Sequence, residues 1–260
     1  MIKIAFRFLY YKLFAPHRRG YGIHSPFVFH LVDKVLKRED DEDLKQIAAW
    51  RRKLSEDKRN IITSDTGAGA KMHKNRDRRV GQIVRKSSIR HKYGRIIYSL
   101  AREFKPATII ELGTGIGISA AYLAKACPQS LVLTIDGDNE KMAFAAGSLE
   151  QIGVDNVIIK MGSFGEMLPG LLQKANHPLM VFVDGDHSYN RTLEYFGEIK
   201  KHANEETLII FDDIRWSQGM EDAWNAIKTD PDVVLTIDLF FMGIVFFRKG
   251  MPKQDFRINF

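Results

Sequence analysis

Apolar runs of strand length alternate with helical patterns over the second part of the chain. Seven β-rich runs occur, at residues 107–112, 131–136, 156–160, 179–184, 208–211, 233–239 and 241–247, and helical periodicity fills the first five gaps. Strands that are apolar on both faces and joined by helices predict a parallel sheet covered on both sides. The last two runs nearly touch, which predicts an antiparallel hairpin at one edge. We therefore expect an α/β fold with a doubly wound, mostly parallel seven-stranded sheet whose last strand is antiparallel.

The first hundred residues show helical periodicity instead. The predicted helices span residues 26–37, 39–58 and 88–104, with a loop at 63–71. Ser25 and Pro26 provide a cap and a first turn for the first helix, and Pro106 ends the last one. We expect a helical N-terminal extension or lid over 1–87 and an α/β domain over 88–260.

The segment 1–14 is apolar and aromatic, and Lys3, Arg7 and Lys12 interrupt it. It therefore has no uninterrupted apolar core of signal-peptide length, and no later stretch reaches the roughly 18 apolar residues of a membrane span. Two interpretations fit this segment: an amphipathic helix packed on its own domain, or a helix that binds a membrane surface or a partner. The single cysteine, Cys127, excludes an intrachain disulfide and favours a reducing, cytoplasmic location.

Positive charge is concentrated in one segment. The chain has a formal net charge of +7, and residues 71–95 hold ten Lys or Arg against one acid, Asp77. Such a segment attracts the phosphates of nucleic acid, nucleotide or lipid, or an acidic small substrate. A solvated helix face and loop would have the same composition.

The first run of the alternating part leads directly into a glycine-rich turn and a helix. Its glycines are Gly113, Gly115 and Gly117, and such a turn lets the backbone approach a ligand while the helix start offers free amides. A dinucleotide fingerprint would have its third glycine at residue 118, where this chain has isoleucine, so NAD is not predicted. A tight turn with no ligand is the alternative.

Two carboxylates extend this motif. Glu111 ends the first strand and suits a ligand with positive charge. Asp136 ends the second strand about 20 residues after the glycines, where a carboxylate accepts the hydroxyls of a ribose. The combination is more specific than the glycines alone and predicts a nucleoside-type ligand with a cationic group.

Residues 111–119 and 134–137 resemble the first two motifs of class I S-adenosylmethionine-dependent methyltransferases, with a Rossmann-like fold. The resemblance extends over about 93–249 and is closest to the catechol and caffeoyl-CoA O-methyltransferase group; residues 22–27 resemble a bacterial branch of methyltransferases. It implies S-adenosylmethionine as cofactor. The implied cofactor-binding residues are Glu111, Gly113, Thr114, Gly115, Gly117, Ser119, Asp136, Gly137, Gly162, Ser163, Phe164 and Asp184.

The same resemblance implies a divalent metal, Mg²⁺, Mn²⁺ or Ca²⁺, held by Asp184, Asp212 and Asp213. Asp184 and His187 are the implied catalytic residues, with His187 as general base. This chain departs from the catechol enzymes twice: Asp213 replaces an amide, and His187 replaces the catalytic lysine. In the alternative interpretation His187 is a hydrogen-bonded loop residue, and Asp212 and Asp213 cap the next helix.

The predicted activity is methyl transfer to a hydroxyl oxygen of a small molecule, for which the basic charge favours an anionic acceptor. The aromatic N-terminus and an exposed hairpin edge are compatible with a homodimer. Two alternatives stay open: a nucleic-acid methyltransferase that uses residues 71–95, and a cofactor-binding subunit without catalysis. Against the first, no Asn-Pro-Pro-aromatic or Asp-Pro-Pro-aromatic signature follows the fourth strand. Tyr21, His24 and Phe27 either roof the pocket or serve in core packing and capping.

Overall fold

The computed structural model describes residues 2–18, 22–64 and 75–259. The helices are α1 (Ile2–Phe14), α2 (Pro26–His30), α3 (Glu42–Ser55), α4 (Val80–Lys86), α5 (His91–Phe104), α6 (Ile118–Ala126), α7 (Asn139–Gln151), α8 (Phe164–Leu172), α9 (Tyr189–Lys201) and α10 (Gln218–Thr229), with a π-helical segment at Leu31–Leu36. The strands are β1 (His17–Arg18), β2 (Asn60–Ser64), β3 (Asn75–Arg79), β4 (Thr108–Leu112), β5 (Leu131–Asp136), β6 (Val157–Met161), β7 (Leu179–Val183), β8 (Leu208–Phe211), β9 (Leu235–Asp238), β10 (Gly243–Phe246) and β11 (Gln254–Asn259).

The main sheet has the order β6-β5-β4-β7-β8-β10-β9-β11, and the two-residue strand β1 extends it beyond β11. Strands β4 to β8 pair in parallel, and β10 is antiparallel to both β8 and β9. The predicted α/β fold with a mostly parallel sheet is confirmed, and all seven predicted strands are present. The order reverses between β4 and β7, so a crevice forms there outside the carboxyl ends of the strands.

The edge of the sheet differs from the prediction. The β9–β10 hairpin forms, but it is not the edge, because β11 pairs in parallel with β9 at Phe256 and Ile237. Phe256 and Ile258 are buried while Arg257 between them is exposed, which is the alternation of a half-buried strand. The sheet therefore has eight full strands rather than seven, and the exposed hairpin edge expected for a homodimer is covered.

Helices cover both faces of the sheet. One apolar cluster joins α5 and α6 to the sheet and also includes side chains from the N-terminal helices, among them Val35, Leu44 and Ile83. A second cluster, on the other face, contains side chains of α8, α9 and α10. The central strands β4, β7 and β8 are fully buried, so their carboxyl ends are held rigidly. The division of the chain at 87/88 stays a prediction.

The N-terminal part contains both predicted and unpredicted elements. Ser25 accepts a hydrogen bond from the N–H of Val28 at 3.4 Å and caps α2, and Asp41 caps α3. The predicted loop at 63–71 is wrong where it is described, because residues 63 and 64 belong to β2, which pairs antiparallel with β3. The rest of that loop lies outside the described residues. No helix in the described ranges is both long and apolar enough to cross a membrane.

Helix α1 packs on the sheet through one face. Tyr11 is buried, and the single proton of its hydroxyl is shared between the carbonyl of Asp238, at 2.9 Å, and that of Ile258. The ring of Phe8 meets the ring of Phe240 edge to face, with centroids 5.0 Å apart. The opposite face of α1 is exposed, as described below. The expected amphipathic helix packed on its own domain is therefore present.

Candidate functional site

The predicted glycine-rich turn lies where the carboxyl ends of β4 and β7 meet. Gly113 has a φ of +110°, and a Cβ on it would overlap the carbonyl oxygen of Asp184. Only glycine fits this contact, because both the backbone conformation and the space exclude a side chain. The N–H groups of Gly113 and Thr114 donate to the carbonyl of Ile135 at 2.9 and 3.1 Å, which joins the turn to β5.

The rest of the turn leaves an open space above the sheet. Gly115 has a φ of +53°, and nothing lies within 4 Å of the position that its Cβ would occupy. Gly117, at φ +87°, caps the first turn of α6. The N-terminus of α6 therefore faces an open cradle, and the first backbone amides of a helix are groups that anionic or polar ligands use.

Glu111 lies at the bottom of this cradle and is fully buried. The hydroxyl of Thr134 donates to its Oε2 at 2.5 Å, whereas Oε1 is buried without a hydrogen-bond partner among the described residues. Burial raises the pKa of Glu111 to about 7. Hydrogen bonding by the hydroxyls of Ser119 and Thr134 lowers the pKa and so partly offsets the effect of burial. A buried carboxylate with an unused oxygen requires a donor, and a ligand with a positive charge would provide one.

Asp136 stands at the end of β5 beside the turn. Its Oδ2 accepts the N–H of Gly115 at 2.8 Å, and its Oδ1 accepts the N–H of Asp138 at 2.9 Å. Burial raises its pKa, and the positive charge of Lys141 partly offsets this. Each carboxylate oxygen keeps a lone pair for a further donor, so two neighbouring hydroxyls of a ligand can bind there. Gly137 is exposed at the rim.

A third loop borders the cradle after β6. The N–H of Gly162 donates to the carbonyl of Asp136 at 3.1 Å, which fixes the loop against the second strand. Ser163 caps α8. The half-buried ring of Phe164 lies against Gly185, where a Cβ would overlap it. Phe164 therefore forms an apolar wall between the cradle and the loop after β7.

Three carboxylates gather at the ends of β7 and β8. Burial raises the pKa of Asp184 well above its usual range, and the charges of Asp213 and Glu111 raise it further. Burial also raises the pKa of Asp212 well above its usual range, and Asp184 is the next cause. Burial raises the pKa of Asp213, and His187 and Arg90 partly offset this increase. Mutual repulsion in a poorly solvated place favours either a proton or a cation there.

His187 is next to these carboxylates. Its Nε2 lies 3.6 Å from Oδ1 of Asp184. Three residues of the two loops, Asp186, His187 and Asp213, have positive φ angles of 60°, 27° and 52°. Positive φ in residues other than glycine is costly and occurs often at functional sites. The side chain of Asp186 is held by the hydroxyl of Tyr195.

The structure excludes one of the two roles considered for Asp212 and Asp213 in the loop after β8. Asp212 and Asp213 do not cap α10, because Ser217 does so by accepting the N–H of Met220 at 3.2 Å. Within residues 2–18, 22–64 and 75–259, however, no group of three or more His, Cys, Asp or Glu side chains stands ready to hold a metal ion. The predicted metal site of Asp184, Asp212 and Asp213 therefore stays a prediction.

Three residues near the carboxylates were not expected from the sequence. The pKa of the Tyr93 phenol is raised by burial and by the charges of Asp212 and Asp213. Its ring meets the ring of Phe241 edge to face at 6.0 Å, and Arg90 stands one turn before it at the start of α5. The one available signal was a tyrosine inside the apolar stripe of that helix. These side chains border the carboxylates on the side away from Glu111.

The structure does not place Phe27 over the pocket, which was one of the two roles considered for Tyr21, His24 and Phe27. Tyr21 lies outside the described residues, and His24 is exposed. Phe27 packs on Phe246, with ring centroids 5.4 Å apart. Phe246 pairs with Leu208 at the amino end of β8, so this contact lies at the end of the strands opposite the candidate site. Core packing is therefore the role of Phe27. The basic segment 71–95 covers β3, α4 and the start of α5, and residues 71–74 lie outside the described residues.

Comparison with known proteins agrees with this geometry. A family described as a methyltransferase domain matches residues 110–214, which include the turn and the carboxylates. Catechol O-methyltransferase from Niastella koreensis is 28% identical over 130 residues, covering 49% of this chain and 58% of that protein. Ribosomal RNA small subunit methyltransferase G from Chlorobaculum tepidum is 30% identical over 71 residues, covering 27% and 33%. The matches thus span between about a third and 58% of these relatives' own lengths.

Solved structures are similar over most of the chain. The S-adenosylhomocysteine-bound methyltransferase PaMTH1 from Podospora anserina has a TM-score of 0.59 at 15% identity and covers 87% of this chain and 97% of that one. The O-methyltransferase TomG from Streptomyces achromogenes, solved with S-adenosylmethionine, has a TM-score of 0.57 at 20% identity and covers 85% and 95%. The predicted resemblance to class I O-methyltransferases is confirmed in domain and fold.

Proposed function

We propose that this chain, an O-methyltransferase-like protein with a class I methyltransferase domain, transfers the methyl group of S-adenosylmethionine to a hydroxyl oxygen of a small molecule. The observation that carries the proposal is the buried, unpartnered Oε1 of Glu111 at the bottom of an open glycine cradle. S-adenosylmethionine brings a sulfonium and an ammonium group, and its ammonium group supplies the missing donor. A neutral nucleoside could donate a hydrogen bond to that oxygen, but it brings no positive charge to offset a buried carboxylate.

The cofactor would lie along the ends of β4 and β5. Its methionyl part faces Glu111, the turn from Gly113 to Gly117 and Ser119, and its ribose hydroxyls bind Asp136 beside Gly137. The loop of Gly162 and Ser163 with the ring of Phe164 borders the adenine. Thr114 supports this arrangement from below, since its hydroxyl lies 2.7 Å from that of Thr134, which donates to Glu111.

The acceptor would bind on the other side of Asp184, between the carboxylates and Tyr93. In the reaction the acceptor oxygen attacks the methyl carbon, a C–O bond forms, and the C–S bond breaks. The sulfur keeps the electron pair, which leaves neutral S-adenosylhomocysteine. His187 accepts the hydroxyl proton at Nε2, and Asp184, 3.6 Å away, stabilises the resulting cation. Because charge disappears from the sulfonium, placement and exclusion of water make the largest contribution.

A divalent metal is a separate part of the proposal. Asp184, Asp212 and Asp213 are oxygen donors that repel one another, so their chemistry fits Mg²⁺, Mn²⁺ or Ca²⁺. When bound, such an ion would lower the pKa of a coordinated hydroxyl. The three carboxylates would hold it, although their present arrangement does not form a three-ligand group. In the structure, His187 and Arg90 are the neighbours that lower the pKa of Asp213.

Arg90 beside Asp213 also favours an anionic acceptor, in line with the basic charge of the chain. A cytoplasmic location and a lid role for residues 1–87 complete the proposal. Nucleic-acid methylation and cofactor binding without turnover are the competing functions.

The first experiment measures S-adenosylmethionine binding by calorimetry for the native chain and for Asp136→Ala. Asp155→Ala, which removes an exposed carboxylate before β6, is the matched control. We expect micromolar binding for the native chain and the control, and at least about tenfold weaker binding for Asp136→Ala. Absence of binding to the native chain would refute the cofactor assignment.

The second experiment titrates Mg²⁺ into the native chain and into Asp212→Ala, with and without S-adenosylmethionine. Saturable binding that Asp212→Ala abolishes supports the metal site, whereas equal weak binding to both chains contradicts it. Turnover is then followed on phenols, catechols and RNA as acceptors. Methylation of RNA alone would favour the nucleic-acid alternative, and cofactor binding without turnover would favour the non-catalytic one.

A further inference from the structure

The outer face of α1 is apolar and uncovered in the described structure. Its members are Phe6, Leu9, Tyr10, Leu13 and Phe14, and each is between 55% and 70% exposed. They follow the spacing i, i+3, i+4, i+7, i+8, so they form one stripe along the helix. The inner face, with Phe8 and Tyr11, contacts the protein. We name the five exposed side chains the α1 outer face.

The charge around this face is entirely positive in sequence. Residues 1–32 contain five Lys or Arg and no Asp or Glu, and the first acid is Asp33. Lys12 is exposed, and its ammonium group lies 5.6 Å from the ring of Phe8. Arg7 contacts Glu221 of α10, so that cation is partly neutralised. An apolar stripe of leucine and aromatic residues flanked by cations is typical of helices that lie in the interface of an anionic bilayer.

We propose that the α1 outer face binds the surface of an anionic lipid membrane, with the helix lying parallel to it. At 13 residues α1 is about 20 Å long, which is too short to cross a bilayer but sufficient to bury one face in the headgroup region. A second copy of the chain is the less favourable occupant, because a symmetric contact through α1 would bring its cations together. An anionic surface instead complements both the apolar stripe and the cations.

The position of α1 gives this contact a functional consequence. Helix α1 packs on the turn between β9 and β10. Strand β10 is antiparallel to both β8 and β9, so β8 and β9 run in the same direction. The turn after β9 therefore lies at the carboxyl end of β8, as the candidate site does. Phe8 stacks on Phe241 at 6.0 Å, and Phe241 contacts Tyr93 near the carboxylates. A membrane bound at the α1 outer face would therefore be separated from the acceptor side of the pocket by the width of this helix. Only this consequence rests on the proposed function.

The test is flotation with vesicles, in the absence of cofactor and acceptor. Vesicles of phosphatidylcholine with about a third phosphatidylglycerol are compared with vesicles of phosphatidylcholine alone. We expect the native chain to float with the anionic vesicles and to be released as salt is raised from about 0.05 to about 0.5 M. The double variant Leu9→Gln/Leu13→Gln should lower the partition coefficient at least about tenfold, and Lys12→Glu about fivefold or more.

Matched controls alter exposed residues elsewhere. Ile158→Gln on β6 changes an exposed apolar side chain, and Lys58→Glu after α3 reverses an exposed charge; both should bind as the native chain does. Circular dichroism and thermal unfolding of the double variant verify that it folds. In a separate variant, Tyr10→Trp should show a blue-shifted emission component on the anionic vesicles.

Three results would overturn the proposal. The native chain does not float with anionic vesicles, or the double variant floats equally well, or the native chain is a dimer that the double variant dissociates while neither binds lipid. In the last case the α1 outer face is covered by a second copy. None of these readouts requires cofactor binding or turnover, so failure of the proposed function is recognised separately.

Discussion

Gly113 packs directly on the carbonyl oxygen of Asp184, and this contact joins the glycine turn after β4 to the carboxylate loop after β7. A side chain at residue 113 would force the two loops apart and would also strain a backbone with φ +110°. The contact therefore couples the candidate cofactor cradle to the candidate acceptor side.

Gly113→Ala is expected to destabilise the chain by about 3 kcal/mol or more and to abolish S-adenosylmethionine binding. Gly147→Ala on α7 is the control, because nothing lies within 4 Å of its Cβ position and its backbone is helical. The control should be neutral or stabilising by about 0.5–1 kcal/mol. Urea unfolding and calorimetry measure both effects, and unchanged binding in Gly113→Ala would disprove the coupling.

Glu111 makes the stability of the ligand-free chain depend on pH. Its pKa rises from the ordinary value of 4.5 to about 7 on folding, so the unfolded state ionises first as pH rises. The contribution of Glu111 to the free energy of unfolding therefore falls between about pH 4.5 and about pH 7, by about 3 kcal/mol in total. Glu111→Gln removes this contribution. If urea unfolding of both chains gives parallel pH profiles, Glu111 is not protonated in the native state.

Glu111→Gln also tests how the cofactor is held. A neutral amide cannot offset the positive charge of the cofactor, so we expect S-adenosylmethionine to bind at least about tenfold more weakly at pH 8. In the native chain below pH 7 the cofactor should displace the proton of Glu111. Calorimetry in two buffers of different ionisation enthalpy would detect this proton, and its release should be smaller in the variant.

The buried pair of Arg215 and Asp238 supports the turn under α1. Nη1 of Arg215 donates to Oδ1 of Asp238 at 2.7 Å and to the carbonyl of Phe240 at 2.9 Å. Asp238→Ala would leave a buried guanidinium without its carboxylate, and we expect a loss of about 3–5 kcal/mol in urea unfolding. Glu198→Ala, which removes the partner of the exposed Lys201, is expected to change little. Similar stabilities for the two variants would contradict this role.

His187→Asn tests the general base, and asparagine tolerates the left-handed backbone at this residue. We expect kcat to fall about 100-fold on whichever acceptor is turned over, with unchanged affinity for S-adenosylmethionine. His202→Asn at the end of α9 is the control. Equal kcat values in the native chain and His187→Asn would assign His187 to pocket shape alone.

Much of the fold was predictable because it follows from local patterns. The seven runs of the alternating part became strands within one or two residues at each end, since strands buried on both faces must be apolar throughout. Ser25 capped its helix as predicted, because a short side-chain oxygen reaches the N–H three residues on. The positions of the glycine turn, Glu111 and Asp136 were equally predictable, because the chain order of strand, turn and helix determines where these residues lie.

The remainder depended on contacts between distant segments. Strand β11 was missed because its alternation of buried and exposed residues is short. It becomes a strand only through its pairing with β9. Tyr93 and Arg90 were missed because their distance from Asp213 depends on how α5 packs against the sheet. The charge state of the acidic group likewise depends on burial, which no sequence spacing provides. The sequence by itself determined the seven strands of the alternating part, the Ser25 cap and the order of the carboxylates, whereas only tertiary packing decided the added strands and which side chains share a poorly solvated space.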